Sequence, residues 1–229
     1  MTEEYISKCL NEPELKESYY ILRSLKHLNT NKNQISKKSS QSFDRIHIKT
    51  NDNMQLVLSS QPGRISGGEP CSLYHKEKGW LIQQPIIGKN ELPKYCSQVR
   101  IYFNNKVYSS YLDHHAILGD SKCVNVLREE DVNLAEFPFG YYQIEISASN
   151  IILQREYCLE NDSLVIHGEL FFDEDIDKIE LIIPLLNGEI ECGYETKTKE
   201  IESPYGQLKV KIMTIPFSKK KGSFHIKIF

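Results

Sequence analysis

Asp113, His114 and His115 stand side by side in the stretch "SSYLDHHAIL", and Asp-His-His is a metal-binding spelling. One carboxylate and two imidazoles suit zinc, manganese or iron, whose chemistry here would be hydrolysis by an activated water. A small metal-dependent hydrolase is therefore one functional expectation. Two arguments oppose it. The triplet extends a strand, where neighbouring side chains point to opposite faces, so His114 and His115 would not reach one ion together. Asp113 and His115 would share a face, but two ligands fall short of the roughly three or four that zinc takes from a protein. Upstream of the triplet only Asp44 and Asp52 occur, with no Asp-x-Asp pair. The polar end of a strand is the expected role.

Other patterns point to weaker chemistry. Cys71 and His75 in "CSLYHKEKGW" are a thiol and a base four residues apart, without an identifiable third group to orient them. The loop "GRISGGEP" lacks the Gly-Lys-Ser/Thr ending of a phosphate cradle and is expected to be flexible. "FFDEDIDK" places Asp173, Asp175 and Asp177 at alternate positions, like the opening of a calcium loop. Lys178 and Pro184 stand where an EF-hand needs glycine and glutamate, which leaves a solvated acidic turn or a looser calcium site. Tyr102, Tyr108 and Tyr142 fall opposite the more apolar register of their strands. On exposed faces they would give sugar rings a platform; on covered faces they would be interior. Trp80 opens a strand and is expected in the core. None of these patterns implies a cofactor.

Composition narrows the function classes. A formal charge of −3 and a pI of about 6.2 argue against a nucleic-acid binder, which needs basic surface to displace counterions from phosphates. No run of ~18 apolar residues is present, so no transmembrane segment is expected, although peripheral membrane association stays open. The acidic start "MTEEYISKCLNE" does not resemble a signal peptide, and the six cysteines are scattered without a C-x-x-C pair. Reduced thiols and a cytoplasmic location follow as expectations.

The elements that would position these residues change character along the chain. Residues 1–28 are helical in pattern: Asn11 caps, Pro13 enters the first turn, and Leu15, Tyr19, Leu22 and Leu25 share a face. Residues 29–42 carry a single apolar side chain before Phe43 and read as a flexible linker. From Phe43 the period becomes two. Hairpins are predicted around "TNDN", around Asn104-Asn105 and around Asn187-Gly188. "SLVIHGELFF", "GQLKVKIMTI" and "GSFHIKIF" read as further strands.

Two stretches are cousins: "FGYYQIEI" and "KGSFHIKI" share Gly, aromatic, polar, Ile, charged, Ile in order. Their offset nearly equals that between the Asn104 and Asn187 turns, which suggests a repeat the size of one Ig-like unit. The predicted fold is mainly β: two tandem antiparallel Ig-like β-sandwiches over 43–150 and 151–229, preceded by the short helical segment. One large antiparallel domain is the competing architecture. Residues 151–229, "NDSLVIHGELFFDEDIDKIELIIPL" through "YGQLKVKI" to "GSFHIKIF", resemble the accessory β-sandwich modules of teichoic-acid-type glycerophosphotransferases and related surface-polymer glycosyltransferases. Residues 80–150 enter that resemblance through the repeat. It implies a structural module without the transferase domain, since no alternating α/β pattern occurs. The leading expectation is a non-catalytic binding or spacer module, its partner a glycan, a polyol-phosphate polymer or a protein. A structural protein docking through its N-terminal helix is a further alternative.

Overall fold

A computed structural model describes residues 39–43, 46–59, 67–85, 94–113, 116–119, 121–130 and 148–229. The expected helix over 1–28, most of the linker, His114, His115, Tyr142 and the "FGYYQIEI" stretch lie outside the described residues. Every element described is a β-strand, and every strand pairing is antiparallel.

Strands β1 (Ser39–Phe43), β2 (Ile46–Thr50), β3 (Met54–Ser59), β4 (Glu69–His75) and β5 (Gly79–Gln83) form a meander. β1 overlaps the end of the expected flexible linker. A ladder needs only backbone groups, so this stretch can pair with β2. Asn51 makes the predicted turn between β2 and β3, where its Oδ1 accepts from the backbone N–H groups of Asn53 (3.0 Å) and Met54 (2.7 Å).

β6 (Gln98–Phe103) and β7 (Lys106–Ser109) close on Asn104 and Asn105, both at positive φ (51° and 58°). That is the tight-turn geometry the Asn-Asn pair predicted. Next come β8 (Ile117–Leu118), β9 (Lys122–Glu129), β10 (Ala148–Leu159), β11 (Leu164–Phe171) and β12 (Lys178–Leu185). The chain ends through β13 (Ile190–Glu191), β14 (Thr196–Ser203), β15 (Gly206–Thr214), β16 (Phe217–Ser218) and β17 (Lys221–Ile228).

Asn187-Gly188 departs from expectation. A tight two-residue turn would need positive φ there, and neither residue has it. The chain instead leaves β12 and crosses to β13, which pairs with β17 rather than returning along β12. β12 lies between β15 on one side and β6 on the other, with Leu185 also meeting Ile82 of β5.

Hydrogen bonding therefore runs β14–β15–β12–β6–β7–β9–β10–β11–β17. The expected domain boundary at 150/151 falls inside β10, and strands of both halves share ladders and one core. Leu56, Leu73, Leu81 and Ile101 pack in the same buried cluster as Leu153, Ile166, Ile183, Phe224 and Ile226. Each such side chain contributes roughly 1.5–3 kcal/mol by leaving water. Lys38–Phe229 is one compact unit. No helix among the described residues is long and apolar enough to cross a membrane.

Candidate functional site

β7 ends at Ser109, and a turn through Ser110–Leu112 separates it from Asp113. Asp113 is thus past the strand rather than on it, which removes the geometric objection to the triplet. Its carboxylate is already engaged. Oδ2 accepts from the Val126 N–H (3.0 Å), and Oδ1 accepts from Arg128 Nε (3.2 Å) and Nη2 (3.0 Å). Asp113 is buried and clamps β9 onto the turn after β7.

Cys71 and His75 do not form a dyad. Four residues along β4 separate them by about 13 Å, at the ~3.3 Å rise of a strand. Cys71 is buried with its Sγ 3.7 Å from the Glu69 carbonyl oxygen. His75 Nδ1 accepts from the backbone N–H groups of Glu77 (3.1 Å) and Lys78 (3.3 Å), which leaves the ring proton on Nε2, 3.2 Å from Asp162. The ring caps the β4–β5 turn. Asp173, Asp175 and Asp177 sit on an exposed connection, with Asp173 paired to Lys220 at 2.9 Å. Among the described residues no group of three or more His, Cys, Asp and Glu is arranged to hold a metal.

Of the three tyrosines, Tyr142 lies outside the described residues, and Tyr102 and Tyr108 do not share a face. Tyr108 lies opposite Ile101 in the hairpin register, on the core face, and stacks on Phe103 with centroids 4.4 Å apart. Tyr102 does lie on the outer face, but its hydroxyl donates to Glu180 (2.7 Å), and Arg100 and Lys178 stand 5.5 Å from its ring. Burial, reinforced by the Glu180 carboxylate, holds this phenol above its ordinary value. Trp80 is half-buried and meets the exposed Tyr74 edge-on at 5.0 Å, so it belongs to the surface of the meander rather than the core.

A buried ionic cluster lies between the halves. Arg155 of β10 pairs with Glu69 of β4. Its Nη2 donates to the Gly67 carbonyl (2.5 Å) and to Asn125 Oδ1 (3.2 Å), while Ser110 Oγ donates to Glu69 (2.5 Å). Tyr157 OH reaches the Gly68 carbonyl at 2.9 Å. Burial pushes the Glu69 carboxyl up, with Arg155 and Ser110 pulling the other way. Burial pulls the Arg155 guanidinium down, but Glu69, Tyr157 and Cys123 together outweigh it, so the group stays charged. This cluster holds Gly67-Gly68 in place, whereas the sequence suggested a flexible loop. Its inaccessibility suits architecture, not chemistry.

Cysteine reactivity offers a direct check of this packing. Cys71, Cys96 and Cys123 are buried and Cys158 is exposed. Burial pushes the Cys96 thiol up to about 12 and also raises Cys123. In mildly alkaline buffer a thiol reagent will modify Cys158 in the native protein, and the three buried thiols only after denaturation. Peptide mass spectrometry reads the result; native labelling of Cys96 or Cys123 as fast as Cys158 would contradict the packing.

Among the described residues, a groove of about 380 Å³ lies across the outer face of β9–β10–β11–β17. Strand register aligns two cross-strand rows there: Lys122, Glu156, His167 and His225, then Val124, Gln154, Glu169 and Ser223. Tyr194 borders the groove and accepts the His225 N–H at 2.8 Å. Lys122, Gln154, Glu156 and Ser223 point outward between the inward Cys123, Leu153, Arg155 and Phe224. Sequence reasoning missed these residues as a group. Alternation alone marks each as outward, but only the β9–β10–β11–β17 pairing brings them together.

No family model matches the chain, and no curated protein matches it. Among solved structures, a 4-alpha-glucanotransferase from Thermococcus litoralis superposes with a TM-score of 0.45 at 11% identity, covering 84% of this chain and 39% of that one. The heparan sulfate lyase HepC from Pedobacter heparinus superposes with a TM-score of 0.47 at 10% identity, covering 83% of this chain and 36% of that one. The chain spans less than two-fifths of the length of either protein. Superpositions this loose transfer no residue role and no activity.

Proposed function

We propose that this chain is a non-catalytic binding and spacer module that takes a hydroxyl-rich ligand, a glycan or polyol-phosphate polymer, in the groove on β9–β10–β11–β17. The observation that carries the reading is the pair of outward rows in that groove. Lys122, Gln154, Glu156 and Ser223 make no side-chain hydrogen bond to another described residue there. A sugar or polyol hydroxyl both donates and accepts. It therefore suits a surface where an ammonium, an amide, carboxylates, a hydroxyl and imidazoles recur at the strand spacing of ~4.8 Å. The groove is only partly enclosed, which fits a segment of polymer laid across the strands better than a small molecule fully enclosed. The resemblance of residues 151–229 to accessory modules of surface-polymer transferases supplies the proposed setting, assembly of such a polymer.

The test is a panel of immobilised glycans and glycerol-phosphate oligomers, followed by calorimetry on any binder. Gln154→Ala and Glu156→Ala are each expected to weaken binding about tenfold, equivalent to about 1.4 kcal/mol, with the circular dichroism spectrum unchanged. A panel without a binder, or a binder indifferent to both substitutions, overturns the reading.

A further inference from the structure

We propose that His167 and His225 form a two-imidazole chelate for a divalent transition-metal ion, independently of the ligand reading above. The two residues are direct cross-strand partners on β11 and β17, and both side chains are exposed on the outer face. Their rings lie 4.2 Å apart between centroids. His225 Nδ1 stands 2.9 Å from His167 Nδ1 and 3.2 Å from His167 Nε2.

The Nδ1–Nδ1 separation matches the bite of a chelate, and a turn of the exposed His167 ring about its side-chain torsions aims its lone pair at a shared ion. Metal–imidazole bonds of about 2.0–2.1 Å, meeting at roughly 90–110°, place the two ligating nitrogens about 2.9–3.4 Å apart. Without an ion, a hydrogen bond between the rings requires one of them to carry its proton on the facing nitrogen. A cation lifts that requirement by accepting both lone pairs, and each ring then keeps its proton on the nitrogen facing away.

The backbone needs no rearrangement. The β11–β17 ladder fixes the register on either side of the pair, and the His225 N–H is held by Tyr194 OH at 2.8 Å. Imidazole donors select zinc, copper or nickel over calcium and magnesium. With no third His, Cys, Asp or Glu in place among the described residues, water fills the remaining positions and the ion is exchangeable.

The test titrates the full chain with zinc alone and with copper(II) alone, by calorimetry and by electron paramagnetic resonance. Copper should show hyperfine structure from two nitrogens. His167→Ala and His225→Ala should each remove that pattern and weaken binding by about 10- to 100-fold, and the double variant should bind little worse than either single one. His167→Asn, which keeps a polar surface residue, should behave like His167→Ala, separating loss of the ligand from any loss of fold. His114→Ala/His115→Ala should keep the two-nitrogen signal. Unchanged affinity in both single variants, or loss only in His114→Ala/His115→Ala, overturns the proposal.

Discussion

Truncating Arg155 to alanine is expected to remove about 3–5 kcal/mol of stability. The cause is what remains. Arg155 and Glu69 have side chains only 1% and 2% exposed, so removing the guanidinium strands a carboxylate in a medium that cannot solvate it. The Gly67 carbonyl, left with only the weak Cys123 thiol, and the Asn125 Oδ1 each lose the Arg155 donor in the same step. Urea unfolding reads the loss as a shift in midpoint with little change of slope. An exposed pair provides the contrast: Lys220 and Asp173 are 76% and 79% exposed, and Lys220→Ala should leave the midpoint where it is. Equal losses from Arg155→Ala and Lys220→Ala would refute the account.

The same variant carries a pH signature. Burial already raises Glu69 from its ordinary value of 4.5, and Arg155 is the main group opposing that rise. Without Arg155 the folded-state value climbs further above the unfolded one. A carboxyl raised in this way contributes stability that is present below its unfolded value and lost as pH rises through its folded value. The gap between wild type and Arg155→Ala therefore widens from below pH 4.5 towards neutrality. Replacing both partners, Glu69→Met with Arg155→Met, should recover part of the loss, because an apolar pair leaves no buried charge behind.

Legibility of the fold followed the range of the interaction. Asn104-Asn105 was readable because a tight hairpin turn demands positive φ, and asparagine tolerates it. β11, β15 and β17 were readable from alternation. Asn187-Gly188 carried the same local signal but serves a crossover, because the partner edges of β12 are taken by β6 and β15. Nothing local in "KIELIIPLL" encodes which strands arrive there. Tyr108 illustrates the limit on side-chain facing, since the pairing with Ile101, not the alternation in "KVYSS", sets it inward.

The candidate site was legible one residue at a time. Alternation along "NIILQREYCL" places Arg155 in the apolar register with Ile151, Leu153 and Tyr157, and a charge in that register signals a buried partner. That Glu69 answers it depends on contacts across the fold, with Gly67 and Arg155 separated by 88 positions. His167 and His225 likewise sit in strands that were recognised. Their facing each other is a property of the β11–β17 register.

Alanine at Gly67 or Gly68 is expected to cost about 2–4 kcal/mol, and the two substitutions should differ in whether a second change relieves them. Both glycines hold positive φ, 75° and 70°, where an L side chain is strained by itself. Space is the larger obstacle. A Cβ on Gly67 would lie 2.1 Å from the Ser110 carbonyl oxygen, and one on Gly68 would lie 2.1 Å from Cys123 Sγ. The first collision is with backbone that also receives Asn125 Nδ2 at 3.1 Å and bonds the Asp113 N–H at 3.2 Å, so it cannot give without disturbing the turn after β7. The second is with side chains alone, chiefly Cys123 Sγ, with Leu118 Cδ2 at 3.0 Å and Cys123 Cβ at 3.3 Å. Measured against Cys123→Ala, adding Gly68→Ala should therefore cost clearly less than Gly68→Ala does in the wild type, leaving mainly the backbone strain. Adding Gly67→Ala to Cys123→Ala should cost as much as it does alone. If the double-mutant cycles show equal coupling for both glycines, or none for Gly68, steric contact with Cys123 is not what reserves that position for glycine.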